Sequence, residues 1–347
     1  MKRVLLAEPR GFCAGVDRAV TTVLHALDLY GPPVYVRKHI VHNVHVVADL
    51  EARGTIFVES ELDVPEGARL VLAAHGVEPS VHETAARRGL ATIDATCPLV
   101  KKVHAEVRRF ASTGYRIVLI GHAGHDEVVG TTGQAPHAIT LVETAEQARS
   151  IDLPDAQKLA YATQTTLSVD ETSEIVAILR ERFPGIVGPR REDICYATTN
   201  RQRAVQRMLA EIDALVVVGS RESSNSNRLV ETAEAAGVPA WLIEDETELD
   251  ERRLADYDAV GVTAGASTPE QIVGAVCDWF RGHGVTDIRA FGGGPAEDVF
   301  FRLPPELPEL PSATDAGSPR SDDARTPARA RHSAKSSRKG AHDVPRS

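Results

Sequence analysis

Three short stretches decide how this chain folds: GFCAGV at Gly11–Val16, DATCPLV at Asp94–Val100 and DICYATTN at Asp193–Asn200. Each carries one cysteine, Cys13, Cys97 or Cys195, between a strand-like run and a helical one. After each cysteine the same parts recur: helix, strand, polar loop. The first loops are RKHIVHN ending at Asn43, GHAGHDE ending at Glu127 and SRESSNSN ending at Asn227, so that His42, His125 and Ser223 follow their cysteines by 28 or 29 residues. A second strand then leads to a second polar loop, AAHGVEPS with His75, ATQTTLS with Thr165 and TAGASTPE with Ser267, 62 to 72 residues after the cysteine. Units of roughly 85–100 residues are too long for a solenoid repeat and predict three similar lobes. If the lobes surround a pseudo-threefold axis, three cysteines and six polar loops converge at its centre.

Within this frame, β-branched runs predict strands over Val4–Ala7, Val34–Arg37, Leu70–Ala73, Arg116–Ile120, Lys158–Ala162, Ala214–Val218 and Ala259–Thr263. Apolar residues at helical spacing predict helices over Val16–Tyr30, Val44–Arg53, Pro79–Arg88, Pro98–Ser112, Val169–Arg182, Arg201–Ile212, Asn227–Ala236 and Pro269–Phe280. Strands alternating with such helices make an α/β protein of mainly parallel sheets. The expected lobes are residues 1–96 with the N-terminal strand, 97–194 and 195–302. From Leu303 to Ser347 the chain is rich in Pro, Ser, Ala and charge without an aromatic residue, and a disordered tail is expected there.

The chain has 347 residues, of which 42% are hydrophobic, enough for a sizeable core. No apolar run approaches the roughly 18 residues of a membrane span. After Met1-Lys2-Arg3 only four apolar residues precede Glu8, too few for a secretory segment, which points to the cytoplasm. The net charge of −10 argues against nucleic-acid binding, although eight Lys/Arg against three Asp from Arg320 onward make the tail basic. An anionic ligand therefore needs a locally built site.

A single cysteine before a helix is explained as well by a buried apolar thiol as by a ligand. Three at matching places in a repeat point to a shared centre, where helix N-termini favour thiolate. Three thiolates suit either a [4Fe–4S] cluster with one iron open or zinc with an exogenous fourth ligand. Cys277 falls on an apolar stripe with Val273, Val276 and Phe280, which marks it as a core residue. His42, His75, His125, Thr165, Thr166, Ser223, Ser224, Asn225 and Ser267 are neutral donors near helix starts, suited to a phosphate. Helix capping alone accounts for Thr165, Thr166 and Ser267, but not for the histidines. Glu127 is a carboxylate inside an anion-binding loop, a place that suits a proton donor; Asp126 reads as its surface neighbour.

Taken in order, GFCAGV, VHN, HGV, DATCPLV, GHDE, TQTTLS, SSNSNRL and GAST make the chain resemble the LytB family of 4-hydroxy-3-methylbut-2-enyl diphosphate reductases over about residues 1–310. The resemblance implies a three-lobed α/β trefoil. It also implies a [4Fe–4S] cluster on Cys13, Cys97 and Cys195, with one iron free of cysteine. His42, His75, Ser223, Ser224, Asn225 and Ser267 would bind the diphosphate, while His125, Glu127 and Thr165 would surround the hydroxyl end of an allylic diphosphate substrate. The activity implied is reductive dehydroxylation to isopentenyl and dimethylallyl diphosphate, the last step of the non-mevalonate isoprenoid pathway. Ferredoxin or flavodoxin would supply electrons, docking on a basic patch for which Lys101, Lys102, Arg108 and Arg109 are candidates.

Overall fold

The computed structural model describes residues 1–153, 158–294 and 296–308. The chain opens with β1 (Arg3–Ala7) and α1 (Ala14–Tyr30), then runs through β2 (Val34–Arg37), α2 (Val44–Ala52), β3 (Thr55–Val58), β4 (Arg69–Leu72), α3 (Pro79–Arg87) and β5 (Ala91–Asp94). The middle third comprises α4 (Pro98–Ser112), β6 (Arg116–Ile120), α5 (Asp126–Thr132), β7 (Ile139–Val142), α6 (Ala145–Ser150), β8 (Leu159–Thr163) and α7 (Val169–Arg182). The last third comprises α8 (Tyr196–Met208), β9 (Ala214–Val218), α9 (Ser224–Ala235), β10 (Ala240–Ile243), α10 (Glu251–Leu254), β11 (Ala259–Ala264), α11 (Glu270–Gly282) and β12 (Asp287–Phe291).

Three sheets result, in the orders β3-β2-β4-β5, β7-β6-β8 and β10-β9-β11-β1-β12, and every pairing of named strands is parallel. Parallel sheets must be covered on both faces, and each of these is. In the first, Ala19, Val23 and Ala26 of α1 pack on Val34, Val36 and Val71, while Val81 and Ala85 of α3 pack on Leu70 and Leu72 from the other side. In the second, Val103, Val107 and Phe110 of α4 cover Ile117 and Leu119, and Ile175 and Leu179 of α7 cover Val118 and Ile120. In the third, α8 and α9 bring Val205, Met208 and Leu229 against Leu215 and Val217, while Val273, Val276 and Phe280 of α11 sit on Val216, Val218 and Val262.

The N-terminal strand departs from the expected division. Although it precedes the first lobe in sequence, β1 pairs with β11 and β12 of the third sheet, Leu5 lying opposite Gly261 and Arg289. Val4 enters one core of that sheet, and Leu5 and Ala7 the other. Its place beside β11 is equivalent to that of β5 beside β4. In the second lobe the same place is marked by a parallel bridge between Ala160 and Val187. Each cysteine thus leaves the sheet of one lobe and opens the first helix of the next.

A second departure lies at the other end. Residues 303–308, expected to begin a disordered tail, pack on the first lobe: Leu307, 6% exposed, joins the cluster of Ala19, Val36 and Ile93. An apolar anchor four residues into the Pro-rich run is what holds this segment. The remainder of the expected tail lies outside the described residues. Among the described residues no helix is long and apolar enough to cross a membrane.

Candidate active site

In parallel sheets the loops beyond the carboxyl ends of the strands form the ligand site. Here the loops after β2, β4, β6, β8, β9 and β11 carry His42, His75, His125, Thr165, Ser223 and Ser267 respectively. All six of these residues, with Ser224, Asn225, Glu127, Cys13, Cys97 and Cys195, line one cavity of about 100 Å³. Its remaining walls are largely apolar, from Val16, Val41, Ala74, Leu99 and Val100.

The cysteines are the N-cap residues of α1, α4 and α8. The backbone around them repeats with threefold regularity. Cys97 N donates to Ala74 O at 2.9 Å, Cys195 N to Thr165 O at 3.0 Å, and Cys13 N to Ala266 O at 3.2 Å. Each cysteine is thereby tied to the second polar loop of the preceding lobe, next to or at His75, Thr165 and Ser267. All three thiols are free. Among the described residues, only His42, His75 and Asp126 bring three candidate ligand atoms within 4.8 Å of one another, so the sulfurs are spread more widely. A single tetrahedral zinc, with Zn–S near 2.3 Å, would draw its sulfurs to about 3.8 Å. The wider triangle of soft donors suits a multi-iron cluster whose cysteines bind different irons. Gly15 leaves room for it: a Cβ there would stand 2.7 Å from Cys97 Sγ and 3.7 Å from Cys13 Sγ.

The helix N-termini do not lower the pKa values of Cys97 and Cys195 as expected. Burial pushes Cys97 up to about 12 and Cys195 up to about 11, even though the backbone N–H groups of Leu99 and Val100 act in the opposite direction on Cys97, and Thr198 does so on Cys195. Desolvation outweighs the dipole in so apolar a pocket, and metal binding must displace these protons.

Glu127, 2% exposed, is held by its neighbours rather than by a cation. Thr165 N donates to Oε1 at 2.6 Å and Thr165 Oγ1 lies 2.9 Å from Oε2. Burial raises its pKa to about 7; the two Thr165 hydrogen bonds lower it, but by less. Thr165 therefore serves as a carboxyl holder and not as a helix cap, the cap of α7 being Ser168. The Glu127 amide donates to His125 Nδ1 at 3.1 Å, which places the proton of the neutral ring on Nε2.

The three histidines meet across two lobes. His42 and His75 stack with centroids 4.1 Å apart, and His125 stands edge-on to both. Desolvation lowers the pKa of His42, takes His125 down to about 4 and holds His75 well below the usual histidine value, so all three are neutral donors near pH 7. Both ring nitrogens of His42 and Nδ1 of His75 are buried without a hydrogen-bond partner. The nearest carboxylate to His42, Glu222, is 3.9 Å away, beyond hydrogen-bond range. Such orphaned groups are rare in native proteins and mark where a ligand's oxygens belong.

The third lobe completes the ring. Ser223 caps α9 through Ser226 N, Ser267 Oγ donates to His42 O at 2.9 Å, and Ser224 Oγ lies 3.0 Å from Thr166 Oγ1. Asn225 Oδ1 accepts from Ala266 N at 2.8 Å.

The model of the family described as LytB protein matches residues 4–281. The chain belongs to the LytB family. Among its relatives, the 4-hydroxy-3-methylbut-2-enyl diphosphate reductase of Acidothermus cellulolyticus is 58% identical over 88% of this chain and 90% of the relative. The enzyme of the same name from Streptomyces avermitilis is 53% identical over the same shares. Of solved structures, the E-1-hydroxy-2-methyl-but-2-enyl-4-diphosphate reductase of Plasmodium falciparum superposes with a TM-score of 0.85 at 41% identity, covering 87% of this chain and 96% of that one.

Three features of this LytB chain escape sequence reasoning. Asp126 is half-buried, not a surface neighbour, with its carboxylate grouped with His42 and His75. Thr198 Oγ1 lies 3.2 Å from Cys195 Sγ and accepts from Asn225 Nδ2, linking a cysteine to the polar loop of α9. The proposed basic patch is partly spent inside the fold, since Lys101 pairs with Asp94 and Lys102 with Asp193. The first two could have been suspected from their place one residue before Glu127 and three after Cys195.

Proposed function

We propose that this LytB chain reductively removes the hydroxyl of 4-hydroxy-3-methylbut-2-enyl diphosphate to give isopentenyl and dimethylallyl diphosphate, with a [4Fe–4S] cluster on Cys13, Cys97 and Cys195. The observation that carries this reading is the union, on one cavity, of three free thiols with a buried carboxyl held near neutrality. When bound, the cluster supplies electrons one at a time and an iron without a cysteine ligand.

The chain's own residues do the rest. Replacing C–OH by C–H consumes two electrons and two protons and releases water. Glu127, protonated below about pH 7, supplies a proton to the departing oxygen, and Thr165 keeps its carboxyl aimed. The unpartnered nitrogens of His42 and His75, with Ser223, Ser224, Asn225, Ser267 and the N-terminus of α9, supply neutral donors to the diphosphate. A neighbouring diphosphate raises the Glu127 pKa further, which keeps the acid loaded. Electrons come from an external carrier, a ferredoxin or flavodoxin, and the unpaired thiols suit the reducing cytoplasm.

Iron and sulfide assay of protein purified without oxygen tests the reading. About four of each per chain are expected, together with conversion of the allylic diphosphate by the chemically reduced protein. Zinc in place of iron, or no conversion, would overturn it.

Gly15→Ala is expected to leave the iron-free protein folded, because Cys97 can rotate away, yet to cost about tenfold in iron retention, since a ligated sulfur cannot. Iron per chain after gel filtration reads this out. Ser223→Ala removes both a diphosphate donor and the cap of α9. A roughly tenfold weaker substrate affinity is expected, with about 1 kcal/mol lost from stability; calorimetric titration and melting separate the two.

A further inference from the structure

Beyond the ligands themselves, each cysteine-led helix carries a cation five or six residues after the cysteine that reaches across to another lobe: Arg18, Lys102 and Arg201, whereas Lys101 beside Lys102 pairs with Asp94 in the loop of its own cysteine. None of the three points at the loop of its own cysteine. Arg18 Nη1 donates to Ala95 O at 3.0 Å and to Thr96 O at 3.1 Å, the two carbonyls before Cys97. Lys102 Nζ donates to Arg191 O at 2.6 Å, Glu192 O at 3.0 Å and Asp193 Oδ1 at 3.0 Å, all just before Cys195. Arg201 Nη2 donates to Gly11 O at 2.7 Å and to Phe12 O at 3.4 Å, the two carbonyls before Cys13.

The order is cyclic. The helix of Cys13 grips the loop of Cys97, the helix of Cys97 grips the loop of Cys195, and the helix of Cys195 grips the loop of Cys13. Arg201 is fully buried and Arg18 nearly so, and removing water from guanidinium groups is tolerated only where their donors are satisfied. Asp193 Oδ2 also accepts from Thr163 N at 3.0 Å, so the Lys102 grip extends to β8. Glu297 pairs with Arg201 at 3.1 Å, and Arg302 O accepts from Arg18 Nε at 2.7 Å, so the last described segment closes over two of the three grips.

We propose that Arg18, Lys102 and Arg201 are positioning residues forming a closed ring, each locking the next cysteine loop, so that the three thiols stand as one preset triangle for iron. The proposal rests on the reading of Cys13, Cys97 and Cys195 as iron ligands. Each grip ties the helix of one cysteine to the loop of the next, so a lost grip frees one corner of the triangle and with it the spacing of the set. Partners that orient metal ligands without touching the metal typically govern retention by about 10- to 100-fold.

Lys102 is the place to test the ring, because its side chain is partly exposed and its loss removes no core packing. In anaerobically reconstituted protein, Lys102→Met is expected to release iron to a chelator at least about tenfold faster than the wild type. Lys102→Arg, which supplies the guanidinium found at the two equivalent places, is expected to restore the wild-type rate, and Lys158→Gln, an exposed lysine elsewhere, to leave it unchanged. Arg18→Lys keeps a charge but loses the fork, and should accelerate release in the same direction; circular dichroism of the iron-free proteins verifies the fold. Wild-type release rates in folded Lys102→Met and Arg18→Lys would overturn the ring, as would equally fast release from Lys102→Met and Lys102→Arg. Wild-type protein that takes up no iron would instead overturn the ligand reading, and the ring's purpose with it.

Discussion

Glu127→Gln is expected to keep iron content and substrate affinity while losing at least about 100-fold in turnover, the usual worth of a positioned proton donor. The substitution preserves shape, and Thr165 N still has a carbonyl oxygen to donate to, so the side chain stays in place. What disappears is an acidic proton in a site from which water is largely removed. The pH dependence gives a second readout. Because burial holds the native carboxyl at about 7, turnover of the native protein should fall as pH rises through that value. The residual turnover of the variant should lack this limb. Stability carries the same signature: a folded pKa of about 7 against an ordinary glutamate value of 4.5 means the folded state binds more protons between them. This group's contribution is therefore fully present at low pH and lost as pH rises through about 7. Near-normal turnover in Glu127→Gln would remove it as the acid.

Cys97→Ala is expected to abolish both iron retention and turnover, since a triangle with one corner missing holds no complete ligand set. The iron-free fold should survive, because the thiol is neutral and its backbone amide, bonded to Ala74 O, is untouched. Cys277→Ala is the matched control. That thiol sits among Val273, Val276 and Phe280, so its loss should cost on the order of 1 kcal/mol of stability and no iron. Iron loss from Cys277→Ala, or full iron content in Cys97→Ala, would place the metal elsewhere.

The strands that the sequence reveals and those it hides divide on a physical line. Every interior strand, β1, β2, β4, β6, β9 and β11, is legible, because burial gives it a short apolar run such as IVLI in β6 or ALVVV in β9. The hidden ones, β3, β5, β7, β10 and β12, are all edges; β8, also last in its sheet, is legible because all five of its residues are buried and Val187 bridges its open side. The four or five residues of each hidden strand are only partly buried, as in ATID, or bury none fully, as in DIRAF, and carry no period long enough to read. Helix starts were hidden for a different reason. The helices α1, α8 and α9 begin at Ala14, Tyr196 and Ser224, earlier than their apolar stripes, because the first turn is built from residues that face the cavity.

The spacing of cysteines and polar loops was enough to determine that three α/β units exist and which side chains share a centre, since that information is local and repeats. Only tertiary packing decided that β1 completes the third sheet, that Thr165 holds Glu127, that burial overrides the helix dipole at Cys97 and Cys195, and that each cysteine loop is gripped by a cation from another lobe. Those facts join residues far apart in the chain, and desolvation and hydrogen-bond geometry exist only once the lobes have closed on one another.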